Sequence, residues 1–206
     1  SANVGATAAV VEAAMKSGTK NLIFISVVGA DPESKNAYFR SKGAAEKLII
    51  DSGLGSSILR TPILFGPSAA GSQAVIGMVS SGQAKLLGGG HYQMRPLDID
   101  DLSEALVKLC LNPKEGQSTY ELVGPESASY RDIITKTAEV MDKTVTFGSI
   151  PIFVAKIGAA VTSILKGGGI TPTVVEVITQ DEVVKTNADS AIGITLTPLR
   201  ETLKKM

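Results

Sequence analysis

The sequence predicts an α/β fold, a parallel sheet with helices on both of its faces. Three observations predict it. Apolar runs such as Leu22-Ile23-Phe24-Ile25 and Ile58-Leu59 lack the polar alternation of a half-solvated strand, which marks strands buried on both sides. Stretches of helical spacing stand between these runs, so successive strands are joined by crossovers and not by hairpins. At 206 residues the chain is long enough for one substantial core, or one core and a small appendage.

Taken in order, a helix is expected over 3–17 and a strand over 21–27, where the apolar run ends in Gly29-Ala30. A helix over 36–53 leads to a strand over 56–60, closed by the Gly66-Pro67 turn. Next come a helix over 71–82, a strand over 84–87, and a helix over 100–112 with Asp100 as its N-cap. A strand over 119–123, a helix over 130–143 and a strand near 144–147 complete the alternation. From about Ser149 the character changes. Residues 151–166 form an apolar helix with almost no polar face, and 171–180 read as a further helix with Pro172 in its first turn. The plainer reading of 151–166 is a core helix on the sheet flank; the alternative is a docking face for a lipophilic ligand or a partner. Gly88-Gly89-Gly90 and Gly167-Gly168-Gly169 read as loops.

Bulk properties narrow the function. Twenty basic and twenty acidic residues cancel, which argues against a nucleic-acid or membrane-surface partner held by charge. No apolar stretch is long enough to span a bilayer. The lone cysteine, Cys110, lies in the apolar run 106–111 and reads as a buried structural thiol. One cysteine excludes an internal disulfide, which fits a reducing compartment and a cytoplasmic location. Asp98, Asp100 and Asp101 read as capping and solvated carboxylates; no metal site is expected, because no histidine stands near them. Arg60, following an apolar strand, reads as half of a structural ion pair.

Tyr38 and Lys42 carry the strongest chemical signal. In Asn36-Ala37-Tyr38-Phe39-Arg40-Ser41-Lys42 they stand four residues apart on a helix and so share one face. A cation beside a phenol favours the phenolate and is expected to pull the tyrosine pKa down. A phenol so tuned can exchange a proton with an alcohol oxygen while hydride leaves or reaches the attached carbon.

The strand over 21–27, the Tyr-x-x-x-Lys helix, Leu59-Arg60-Thr61-Pro62 and Asp100-Asp101-Leu102 follow one another in that order. That succession resembles the short-chain dehydrogenase/reductase superfamily. It is most similar to the extended and atypical branches: the NAD(P)-dependent epimerase/dehydratase and NmrA-like groups. Within those, residues 29–42 and 170–199 resemble proteins related to an accessory subunit of respiratory complex I. The resemblance implies a Rossmann-like sheet with a small substrate-side subdomain. Residues 1–65, 99–119 and 181–206 would form the partial Rossmann-like domain, and 66–98 with 120–180 the subdomain. It implies NADP or NAD as cofactor and a small-molecule substrate, lipophilic if the 151–166 helix contributes. Tyr38 would be the general acid/base and Lys42 its partner. Ser26, Tyr38, Lys42, Pro62, Ile63 and Leu64 would contact the cofactor. Arg95 and His91 would face the substrate, with a solvent-exposed loop histidine as the plainer reading of His91. The branch's phosphate-gripping arginine would align one residue earlier, on Met94.

Two departures stand beside the match. No Gly-x-Gly-x-x-Gly or Gly-x-x-Gly-x-x-Gly follows a strand anywhere in the chain. The expectation is therefore that the first, phosphate-binding half of the nucleotide domain is absent. A sheet so shortened would expose a strand edge through which copies of the chain could pair into a homo-oligomer. The second departure is Val27, which stands where the superfamily places the serine or threonine that hydrogen-bonds the reacting oxygen. Valine donates no hydrogen bond. This leaves open a non-catalytic NAD(P)-binding sensor or assembly subunit, or a fragment unable to bind nucleotide alone.

Overall fold

The computed structural model describes residues 2–166 and 171–206. Helix α1 (Ala2–Ser17) leads into β1 (Asn21–Val27), α2 (Ala37–Asp51), β2 (Gly55–Thr61) and the short β3 (Leu64–Phe65). Helix α3 (Ala70–Ser81) and β4 (Gln83–Leu87) follow, then a single 3-10 turn at Gly88–Gly90, β5 (Gln93–Met94), β6 (Leu97–Asp98) and α4 (Ile99–Leu111). The remaining elements are β7 (Gln117–Glu121), β8 (Ala128–Ser129), α5 (Tyr130–Val140), β9 (Thr146–Ile150), α6 (Ile152–Lys166), α7 (Pro172–Ile178), α8 (Asp189–Ile192) and α9 (Leu199–Lys204). The fold is α/β, and its principal strands are parallel.

The chain packs as two compact units. The first comprises Ser1–Pro62, Asp100–Val123 and Val183–Leu196; the second Ile63–Ile99, Gly124–Glu182 and Thr197–Met206. The sequence reading placed 181–206 whole with the sheet. Residues 197–206 instead pack in the second unit, because Leu199 and Leu203 of α9 belong to its apolar core. The same helix is pinned by polar bonds: Thr202 Oγ1 and Lys205 Nζ donate to Asp98 Oδ2 at 2.8 and 3.0 Å.

In the first unit, β1, β2 and β7 form a parallel sheet in that order, with Ile25 beside Leu59 and Leu59 beside Tyr120. Ile58 and Leu59 are buried on the middle strand, as their unbroken apolar run requires. Beyond the strand end Val28 N–H donates to Thr61 O. Backbone groups alternate in direction along a strand, so Ile23, Ile25 and Val27 turn theirs to the side away from β2. Among the described residues β1 pairs on one side only. It is an apolar edge strand, with Ile25 43% exposed.

Helix α2 starts where Asn36 Oδ1 accepts Tyr38 N–H at 2.9 Å, a side-chain N-cap. Its buried residues Phe39, Gly43, Glu46 and Ile49 recur at three- and four-residue spacing. Gly43 is needed for closeness and not for backbone freedom. A Cβ there would lie 2.3 Å from the carbonyl carbon of Asp31 and the nitrogen of Pro32.

Helix α4 corrects three expectations. Asp100 lies inside its first turn and not before it, since the helix already begins at Ile99. Leu102, Ala105 and Leu109 form the buried face; Cys110 is one position, about 100° of helix, beyond Leu109 and is exposed. Asp98 and Asp101 are buried and not solvated; Thr202 and Lys205 compensate Asp98.

In the second unit, Phe65, Val75, Val79, Leu86, Ile133 and Ile134 anchor the apolar core. The parallel pair β4–β9 and the antiparallel pair β5–β8 belong to this unit. The Gly88–Gly90 turn has φ of +55°, +77° and +75°, a run that side chains with a Cβ resist. Helix α6 is no core helix over its first turns: Phe153, Val154 and Ile157 are 67%, 46% and 63% exposed. It is tied to α7 by Lys156 and Glu176 at 2.7 Å. The Gly167-Gly168-Gly169 loop lies outside the described residues, as does Ile170. Among the described residues no helix is long and apolar enough to cross a membrane.

Candidate functional site

The first unit carries Ser26, Tyr38, Lys42 and Pro62. Open α/β sheets present ligands at the carboxyl ends of their strands, and Ser26 and Val27 close β1 at that end. Tyr38 and Lys42 follow on the first two turns of α2. Tyr38 is 38% exposed, with its ring tilted against Phe39 at 5.9 Å between centroids. Lys42 Nζ donates to the backbone carbonyl of Ile25 at 2.9 Å and lies 4.6 Å from the centre of the Phe24 ring. Its stem lines a mainly apolar cleft of about 310 Å³ with Asn3, Thr7, Leu22, Phe24 and Ile49.

Ser26 is fully buried, and its Oγ has no hydrogen-bond partner among the described residues. Among the described residues Ser56 Oγ on β2 and the Tyr120 hydroxyl on β7 are likewise buried without one; Val27, beside Ser26, has no polar side-chain atom.

The expected electrostatics are corrected. Burial pushes the Tyr38 phenol above its ordinary value. The ammonium expected to lower it is engaged with Ile25 O and the Phe24 ring. Burial also lowers Lys42, and the Glu46 carboxylate one turn further along partly offsets this.

Arg60 forms the structural ion pair expected of it. Its Nη2 and Nε reach Glu46 Oε2 and Oε1 at 2.6 and 3.0 Å, and its Nη1 stands 3.8 Å from Glu121. Glu46 first, then Glu121 and Asp31, hold the guanidinium above its ordinary value. This pair fastens α2, and with it Tyr38 and Lys42, to the middle strand. Glu46 and Gly43 were not singled out from sequence. Helical spacing from Lys42 marks both as inward-facing, but their partners lie too far along the chain to be read.

Ile63, Leu64, His91 and Arg95 belong to the second unit. His91 is exposed and follows the glycine turn. Met94, aligned with the expected phosphate-gripping arginine, is buried in the apolar core and presents nothing to an anion. Arg95 is half-buried; its Nε and Nη2 donate to the carbonyls of Gly124 and Pro125 at 3.0 and 3.4 Å. Its backbone N–H donates to Glu182 Oε2 at 2.7 Å. Burial raises the Glu182 pKa, against the lowering effect of the Arg95 N–H bond and the Arg95 charge. Sequence reasoning missed Glu182, whose partner Arg95 is 87 positions away. Among the described residues no three His, Cys, Asp or Glu side chains are gathered as a metal cluster.

No protein-family model matches the chain, and no curated protein matches it in sequence. Solved structures do. MoeE5 in complex with UDP-glucose and NAD is 18% identical, with a TM-score of 0.73 over 98% of this chain and 69% of that one. A nucleoside-diphosphate-sugar epimerase from Staphylococcus aureus is 13% identical, with a TM-score of 0.75 over 98% of this chain and 70% of that one. Citrobacter sp. triphenylmethane reductase complexed with NADP(H) is 21% identical, with a TM-score of 0.71 over 96% and 69% respectively. At such identities the likeness establishes the fold: this chain has the Rossmann-like α/β architecture of these epimerase and reductase structures.

Proposed function

We propose that this chain is part of an NAD(P)-dependent oxidoreductase or epimerase. The observation that carries the proposal is the grouping of Tyr38 and Lys42 on α2 after the β1 carboxyl end, where Ser26 Oγ is buried without a partner. An ammonium and a hydroxyl fit the nicotinamide-ribose end of a dinucleotide, whose sugar offers hydroxyls to both. The likeness to structures solved with NAD and NADP(H) supports the same cofactor. The chain's sequence supplies no glycine-rich turn for the pyrophosphate.

When bound, the nicotinamide ring supplies hydride or accepts it. The remaining work is the chain's own. Tyr38 gives its phenolic proton to the oxygen of a carbonyl substrate, or takes one from an alcohol in the reverse direction. Lys42 offers its remaining N–H groups to ribose hydroxyls. Ser26 pairs its hydroxyl with a polar ligand atom. Sugar nucleotides are the substrate class that the likeness to MoeE5 in complex with UDP-glucose supports.

A second reading is favoured by Val27, which cannot hydrogen-bond a reacting oxygen, and by the raised Tyr38 phenol. On that reading the same residues bind NAD(P) without turnover, as in a redox sensor or assembly subunit. Titrating NADPH and then NADH onto the chain, with the cofactor's fluorescence as signal, tests the shared premise. Saturable binding weakened about tenfold by Lys42→Ala, the loss of a charge-assisted hydrogen bond, supports it. No binding, or binding indifferent to Lys42→Ala, refutes it. Turnover by the unmutated chain that Tyr38→Phe abolishes then selects the catalytic reading; turnover that appears only in Val27→Ser selects the sensor.

A further inference from the structure

The outer side of β1 is a strand edge fastened at one point by a side chain. The backbone groups of Ile23, Ile25 and Val27 turn away from β2. Val27 O is taken by Ala30 N–H at 3.1 Å, as part of the turn that follows the strand. Ile25 O is taken by Lys42 Nζ at 2.9 Å, from 17 positions along the chain. The ammonium reaches that carbonyl 4.6 Å from the centre of the Phe24 ring. No residue of β1 itself discourages pairing. The run from Asn21 to Val27 holds no charge and no proline, and Ile25 is 43% exposed. Such a strand recruits others, and natural sheets shield such edges, often with lysine. β1 is also complementary to itself. Two copies laid antiparallel about a two-fold axis set Ile25 opposite Ile25 and Ile23 opposite Val27, with branched apolar side chains paired across them. The central pair exchanges its bonds through Ile25 O. A slip of two residues in either direction sets Ile25 opposite Ile23 or Val27 and draws on the same carbonyl.

We infer that Lys42 guards this edge. Its ammonium holds the acceptor on which pairing with a second copy of the chain depends, and it sets a charge in the path of that copy. An approaching strand has to displace the ammonium from the carbonyl or bury it, and burying an unpaired charge is costly. The lysine stands on α2 and not on the strand, so β1 keeps an apolar sequence for packing while its edge stays blocked. This role does not rest on the proposed function, since it needs no nucleotide.

The test is sedimentation of the whole chain over a range of concentrations, without nucleotide, joined to amide hydrogen exchange. Lys42→Met keeps an apolar stem and removes both donor and charge. It is expected to associate about tenfold more tightly than the unmutated chain, the scale of one net hydrogen bond. Its Ile23, Ile25 and Val27 amides should gain protection as concentration rises. Lys42→Arg, which keeps the cation and its donors, should sediment as the unmutated chain does. Adding Ile25→Pro to Lys42→Met removes the central N–H and should disperse the association. Ile25→Lys, which sets a charge on the exposed position, serves the same end if the proline lowers the urea midpoint. Equal association of Lys42→Met and the unmutated chain overturns the guard. So does association that neither Ile25 change disperses, and so does an unmutated chain whose β1 amides are already protected by pairing with a second copy.

Discussion

Arg60 on β2 and Glu46 on α2 are joined through two guanidinium nitrogens, at 2.6 and 3.0 Å, with the Glu46 side chain only 4% exposed. Glu46 is one helical turn beyond Lys42, so this pair sets how α2 lies on the sheet and where its earlier turns point. Removing the arginine would leave a buried carboxylate without its cation, which costs about 3 kcal/mol. Arg60→Ala should lower the urea midpoint accordingly. Arg60→Ala with Glu46→Ala should cost less than the sum of the single changes, because the second removes the stranded charge.

Gly43→Ala runs against helix propensity. Alanine favours a helix over glycine by about 1 kcal/mol, yet its Cβ would meet the Asp31–Pro32 backbone at 2.3 Å. Overpacking of this kind costs about 1–3 kcal/mol, and backbone cannot swing aside as a flexible side chain would. A net loss of stability is expected by urea denaturation. A gain would mean that the 31–32 loop is free to move.

Tyr38→Phe separates binding from chemistry. It removes the proton donor and leaves Lys42 and Ser26 in place. NADPH affinity should stay within about twofold, while any measurable reduction is lost. A large fall in affinity would make Tyr38 a binding residue first.

Alkaline stability follows from the tyrosines. Burial raises Tyr38, Tyr92 and Tyr130 above the ordinary value of 10.0. The fold therefore keeps these protons at a pH where the unfolded chain has released them. Their contribution is complete below the ordinary value and is lost as pH rises through the folded values. Urea midpoints should fall between about pH 9 and about pH 11, and Tyr92→Phe should flatten that fall.

The sequence disclosed what depends on local pattern. Unbroken apolar runs located β1 and β2, and Pro172 marked the start of α7. The Tyr-x-x-x-Lys spacing located α2. Where the reading failed, the cause was a distant partner or a helix face. The run around Cys110 is apolar but for Lys108, and only the burial of Leu102, Ala105 and Leu109 shows which side turns inward. Likewise, α6 is apolar on every side in sequence, and nothing local says that Phe153 and Ile157 stay exposed. The Tyr38 phenol was misjudged because spacing places Lys42 on the same face without fixing its rotamer. Glu182 was invisible, since its hydrogen-bond partner Arg95 is 87 positions away.

The bond from Lys42 to Ile25 O has a thermodynamic consequence. A free lysine side chain carries about 2 kcal/mol of rotamer entropy, which a ligand would ordinarily have to overcome. Here the fold has already immobilised the ammonium against a strand carbonyl. One of its three N–H groups is engaged there, and the other two have their directions set before any ligand arrives. A sugar hydroxyl thus meets a preorganised cation whose place is dictated by main chain, so a change in the course of β1 would move the charge without touching the lysine.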